Sequence, residues 1–106
     1  MNEFYQGTTV TLLFKITKPT DFDISTFSVI HITIKSVKTG KQKTFVGRID
    51  DLEEKLIAID LTQEDTLDFN SGDLAVQGKF KLTNGKVIAS KTIHGTLHEI
   101  FERTVL

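Results

Sequence analysis

The sequence predicts an all-β domain: two antiparallel sheets packed face to face, about seven strands in all, with one short helical turn near 62–68. Three observations predict it. The β-branched and aromatic residues Thr, Ile, Val, Phe and Tyr occupy 42 of 106 positions, whereas alanine, the best helix former, occurs three times. Apolar and polar residues alternate with a period of two in several segments. Clusters of Gly, Asn, Asp, Pro and Thr interrupt those segments at intervals of about 8 to 15 residues, as in sandwiches and barrels.

The first strand covers 8–17, where Val10, Leu12, Phe14 and Ile16 alternate with Thr9, Thr11, Leu13 and Lys15. Gly7 separates it from Phe4-Tyr5-Gln6, which form a short strand of their own or a bulged extension. Lys18-Pro19-Thr20-Asp21 ends the pattern, because proline donates nothing to a ladder. Residues 19–26 are expected to cover one end of the core. A second strand spans 28–37, with Ile30, Ile32 and Ile34 on one face and His31, Thr33 and Lys35 on the other. Lys38-Thr39-Gly40-Lys41 makes a hairpin, and 43–49 returns as a third strand. After the acidic loop Asp50-Asp51-Leu52-Glu53-Glu54, a fourth strand runs over 55–61.

Thr62 then caps a helical turn, with Asp65 at the third helical position completing a capping box. Asn70-Ser71-Gly72-Asp73 is a turn. The strand over 74–82 places Leu74, Val76, Phe80 and Leu82 in step, with Gly78 inward among them, marking a bulge or the close approach of another backbone. Asn84-Gly85 between two β runs predicts a two-residue type I′ hairpin with positive φ at both residues. The return strand spans 86–93, and Gly95 breaks it before a last segment, 96–106. There Leu97, Ile100, Phe101 and Val105 have helical spacing, yet they also fit an edge strand broken at Glu102-Arg103.

No repeat or linker divides the chain, so 1–106 reads as one domain. An immunoglobulin-like sandwich is the commonest arrangement of seven strands at this size, and a small barrel is the alternative. The antibody cysteine pair and core tryptophan are absent, so the likeness is one of architecture. A single core of this size leaves little room for a deep pocket.

A net charge of −1, with 39% hydrophobic and 25% charged residues, argues against disorder and against a basic nucleic-acid platform. No apolar run approaches the roughly 20 residues of a membrane span, and the start of the sequence lacks a signal-peptide pattern. With no cysteine, disulfides, thiolate metal sites and cysteine catalysis are excluded. On a helix His94 and His98 would share a face and could hold a metal, but on a strand they lie about 13 Å apart, too far to share one ion, and solvent-facing polar positions are the expected reading. The acidic loop lacks the spacing and glycine of a calcium loop. Glu64 and Asp65 are explained by helix-start electrostatics, and with Asp68 they imply no cleft. The five serines lack a nucleophile motif, and no phosphate-binding glycine loop is present. Lys35, Lys38, Lys41 and Lys43 cluster at one hairpin, and Lys79 and Lys81 share a strand face. Outward lysines there blunt sheet edges. These readings predict no enzyme, no cofactor and no metal.

The order of segments also carries a resemblance. Gln6-Gly7-Thr8-Thr9-Val10-Thr11-Leu12 is followed by Asp21-Phe22-Asp23-Ile24, Leu61-Thr62-Gln63-Glu64-Asp65-Thr66-Leu67, Gly72-Asp73-Leu74-Ala75-Val76-Gln77 and Asn84-Gly85-Lys86-Val87-Ile88-Ala89-Ser90. This resembles small virion structural proteins of phages and prophages of Gram-positive bacteria, β-sandwich proteins of the baseplate and tail type. The resemblance implies an immunoglobulin-like module of a phage head, tail or baseplate, made in the host cytoplasm. It implies other virion subunits or further copies of itself as partners, and no active site. The surface expected to serve is Phe4, Tyr5 and Gln6 with Ile100, Phe101, Val105 and Leu106. The alternative is a module binding carbohydrate or a cell surface, which the absence of Trp and the single Tyr disfavour.

Overall fold

A computed structural model describes residues 2–16 and 24–106. Most of the expected cover over 19–26, including Pro19 and Phe22, lies outside the described residues. A six-stranded sheet has the order β1-β9-β7-β3-β4, with β8 also paired to β7, and a three-stranded sheet has the order β2-β6-β5. The strands are β1 (Asn2–Tyr5), β2 (Val10–Lys15), β3 (Phe27–Ser36), β4 (Gln42–Val46), β5 (Arg48–Asp51), β6 (Leu56–Leu61), β7 (Gly72–Leu82), β8 (Val87–Ala89) and β9 (Ile93–His98). Helix α1 (Gln63–Asp68) follows β6.

One core lies between the sheets. β3 contributes Ile30, Ile32 and Ile34, β7 contributes Leu74, Val76, Phe80 and Leu82, and β2 and β6 oppose them with Leu12, Phe14, Ile57, Ile59 and Leu61. The period of two read from the sequence is therefore the inward set of each strand. Burying these side chains gains roughly 1.5–3 kcal/mol apiece before the cost of ordering the chain is counted.

The described residues form nine strands rather than seven, because two breaks add a strand each, and a third break is displaced. Phe4 and Tyr5 belong to a separate strand, because Gly7, with φ 73°, turns the chain out of the large sheet and into the small one. The expected strand over 43–49 splits at Gly47, where the chain crosses from β4 in the large sheet to β5 in the small one. Gly47 donates its amide to the Ile30 carbonyl at 2.8 Å. A Cβ there would stand 2.7 Å from the Ile30 side chain and 3.3 Å from that of Ile57, so a hydrogen is what fits. The third break falls at Ser90, where one extra residue shifts the register between the β7–β8 and β7–β9 pairings. Gly95, the expected break, is buried inside β9.

The outer strands of the large sheet, β1 and β4, are thus each joined directly to an outer strand of the small one, β2 and β5. Both corners carry a glycine.

Two further expectations are corrected. The pairing is not wholly antiparallel, since β1 runs parallel to β9. A neighbouring hairpin cannot supply that pairing, because the two strands stand at opposite ends of the chain. The Asn84-Gly85 turn is not type I′: positive φ falls on Gly85, at 89°, and not on Asn84. Gly85 donates to the Leu82 carbonyl at 2.9 Å, and Leu82 donates to Lys86 at 2.8 Å. This closes a three-residue loop, the turn-plus-glycine form. Gly78 lies opposite a bulge, as expected: its carbonyl accepts from the Ser90 amide at 2.9 Å, beside the one-residue register shift between the β7–β8 and β7–β9 pairings. On its other side it pairs in regular register with Ile32 of β3, and the ring of Phe80, two residues along the same strand, folds over it.

The capping box forms as read. Asp65 donates its amide to Thr62 Oγ1 at 3.1 Å, and Thr62 donates its amide to Asp65 Oδ2 at 2.9 Å.

Candidate protein-interaction surface

β1 lies along one edge of the large sheet, and its parallel ladder continues one residue past the strand, where Gln6 donates its amide to the His98 carbonyl at 2.9 Å. Alternation then decides which side chains face out. Phe4 and Gln6 point inward and are buried, so neither presents the side chain expected of it. Tyr5 points outward, 56% exposed, with its ring tilted against His98 at 5.0 Å between centroids. His98 Nε2 lies 3.2 Å from Glu3 Oε1.

The buried Gln6 amide ties three segments together. Its Nε2 donates to the Phe69 carbonyl at 2.7 Å, and its Oε1 accepts from Arg103 Nη1 at 2.9 Å. A buried carbonyl at the end of α1 thereby gains a partner, as burial requires. The Thr66 hydroxyl, fully buried, lies 2.9 Å from the Thr8 carbonyl and 3.1 Å from that of Gln63.

The segment after β9 forms neither the helix nor the edge strand that its spacing allowed. Leu97 is used in β9, and 99–106 runs as irregular chain over α1. Arg103 Nη2 reaches the Leu67 carbonyl at 3.4 Å. Gln63 grips the end of the chain, its Oε1 accepting from the Leu106 amide at 2.8 Å and its Nε2 donating to the Leu106 carbonyl at 3.1 Å. Ile100 is half-buried beside Gly7 and Leu67. Phe101 is 98% and Leu106 93% exposed, and Val105 is also exposed. The segment is held by polar contacts and turns its largest apolar groups to solvent, the reverse of a segment docked as core.

The expected lysine cluster is partly tied down. Lys41 pairs with Asp68 at 2.9 Å, and Lys43 pairs with Asp65 at 2.9 Å, linking the β3–β4 hairpin to α1. Burial pushes the Asp65 carboxyl up, but the Thr62 amide, the Lys43 ammonium and the Thr62 hydroxyl outweigh it and hold the group below its ordinary value. Lys43 is raised by the same hydrogen bond and charge. On β6, the Thr11 hydroxyl and then Arg48 lower Asp60. The acidic loop is closed by its own backbone, since Asp51 Oδ1 accepts from the amides of Glu53 and Glu54. Among the described residues, no three His, Asp or Glu side chains gather as a metal site. No helix is long and apolar enough to cross a membrane.

One feature exceeds the expectation of a core without a deep pocket. Between the two sheets, toward the end where β2 finishes and β9 begins, lies a half-open cavity of about 510 Å³. Its walls include Phe14, Ile16, Ile57, Val76 and Phe80, and Lys15 and Lys91 contribute to its lining. Among the described residues six strands face three, so part of the inner face of the larger sheet has no described strand opposite it. Gly78, Ala89 and Ser90 complete this part of the lining. Ser90 fixes this wall, accepting the Gly78 amide on Oγ at 2.8 Å and donating its own amide to the Gly78 carbonyl at 2.9 Å.

No model of a known protein family matches the chain, and no curated protein matches it.

Proposed function

We propose that the chain is a non-enzymatic assembly module that works through protein–protein contacts, a component of a phage or prophage particle built on an immunoglobulin-like sandwich. The observation that carries this reading is the segment 99–106. Its backbone is fastened to the body through Arg103 and Gln63, while Phe101 and Leu106 stand in solvent. Large exposed apolar groups on a fixed scaffold are what a binding surface needs, because little ordering cost remains when a partner arrives. The sequence resemblance supports the setting in a head, tail or baseplate, and the two sheets around one core support the sandwich.

The test is to collect particles released by the host bacterium, purify them on a density gradient and count copies of the chain by quantitative mass spectrometry. The expected result is the chain in the particle fraction at a fixed multiple of a major virion subunit. Recovery only from the soluble fraction overturns the reading.

A further inference from the structure

Resting on the reading of the chain as an assembly module, we propose that copies associate head to tail, the Phe101 ring of one copy entering the apolar cavity of the next. The structure supplies both halves of such a contact in different places. The knob is Phe101, 98% exposed on a segment fastened on either side, at Arg103 and at β9. The hole is the 510 Å³ cavity walled by Phe14, Ile16, Ile57, Val76 and Phe80. An apolar cavity of about 150 Å³ already accepts a benzene ring, so this one has room for Phe101.

Charge agrees with the pairing. Glu99 and Glu102 flank Phe101 in the sequence and are exposed, while Lys15 and Lys91 line the cavity. Lys91 has no charged partner among the described residues. Lys15 holds Glu54 at 3.4 Å with both side chains more than half exposed, a pair that exchanges at little cost. A second copy is therefore the occupant that the structure supports, since the chain itself carries the apolar ring and the carboxylates that match the hole.

The two halves lie apart. β9 begins beside the cavity at Ile93 and ends at His98, where the segment bearing Phe101 starts; its five steps span about 16 Å. The segment bearing Phe101 thus starts at the end of β9 remote from the cavity. Because knob and hole are different surfaces, each added copy keeps one of each, and the contact builds rings or filaments instead of closed two-fold dimers.

Two substitutions at exposed positions test this in the full chain: Phe101→Ala removes the knob, and Ile93→Trp, on the face of β9 that it shares with Val76, fills the mouth of the hole. In sedimentation velocity the wild-type mass rises with concentration across about 10 μM to 1 mM, and either substitution weakens association at least about tenfold. An equimolar mixture of the two variants forms one-to-one complexes and nothing larger, since only one live knob and one live hole remain. A wild type that stays monomeric overturns the contact, as does a Phe101→Ala chain that associates like wild type. Wild-type association by the Ile93→Trp variant overturns the choice of hole, and a mixture that stays monomeric overturns the pairing. A monomeric chain that is nevertheless present in particles removes this contact and leaves the assembly reading standing; the converse result separates them the other way.

Discussion

Arg103 Nη1 donates to Gln6 Oε1 at 2.9 Å, joining the two ends of the chain across 97 positions of sequence. Gln6 is buried, and its other amide atom holds the Phe69 carbonyl at 2.7 Å. The two partners therefore differ in what their loss does.

Gln6→Ala leaves a buried carbonyl unpaired and is expected to cost about 2 kcal/mol, within the range for an orphaned buried group. Arg103→Ala leaves Gln6 still bound to Phe69 and removes a partly exposed bond, so it is expected to cost less than about 1 kcal/mol. Its main effect falls on the segment 99–106, whose amides exchange faster while those of β9 do not. Urea titration and hydrogen exchange of both variants check this. Equal losses of stability would contradict the assignment of Gln6 as the central link.

Gly47 and Gly78 are intolerant for different reasons. Gly47 lies where the chain passes between Ile30 and Ile57, so Gly47→Ala forces core side chains from both sheets to move and is expected to cost about 1–3 kcal/mol. Gly78→Ala meets the ring of Phe80 first, as its nearest neighbour. Replacing that ring as well, in a Gly78→Ala, Phe80→Leu double variant, should cost less than the two single losses added together. Thermal melts of the single and double variants give the coupling, and strict additivity would refute the packing of Phe80 on Gly78.

How far the fold was legible follows from these same residues. Alternation located the inward faces of β2, β3, β6 and β7, because burial against one core acts directly on period-two positions. The Thr62–Asp65 box was legible because capping is a local exchange of hydrogen bonds. Gly47 was hidden because apolar residues continue through it, and a crossing between sheets depends on Ile30 and Ile57, which are distant in sequence. The parallel β1–β9 pair was hidden for the same reason. The Asn84-Gly85 pair marked a hairpin correctly, but its loop length depends on which flanking residues close it, Leu82 and Lys86. At the candidate surface, Phe101 and Leu106 read as apolar without revealing that they face solvent. The tie from Gln6 to Arg103 has no local signature at all.

Asp65 makes part of the stability depend on pH. Its folded carboxyl lies below the ordinary value of 3.8 despite burial, because the Thr62 amide and Lys43 favour the charged form. A lowered folded pKa stabilises the native state above the unfolded value, and that contribution is lost as pH falls through the folded pKa. Asp65→Ala is therefore expected to cost about 1 kcal/mol at pH 7, a typical value for a cap, and to cost less below about pH 4. Thr62→Ala removes an uncharged acceptor at the same cap. Its direct cost of about 1 kcal/mol changes less with pH. Urea midpoints at pH 7 and pH 3 distinguish the two, and a pH-independent loss in Asp65→Ala would exclude its charge as the source.

Ser36, at the end of β3, gives the last prediction. Its side chain is buried, and its Oγ has no hydrogen-bond partner among the described residues. The backbone is secured independently: the Ser36 amide donates to the Lys41 carbonyl at 2.7 Å, and its carbonyl accepts from Gly40 at 2.8 Å. The hydroxyl therefore carries a desolvation cost with no bond to offset it. Removing an unpaired buried polar atom with almost no change of volume should leave the protein as stable or raise its stability by about 1 kcal/mol. Ser36→Ala is expected to melt at or above the wild-type temperature, whereas Ser36→Val, which adds volume at a closed position, should melt below it. A lower melting temperature for Ser36→Ala would show that the hydroxyl is bonded after all, and the hairpin at Gly40 would then depend on it.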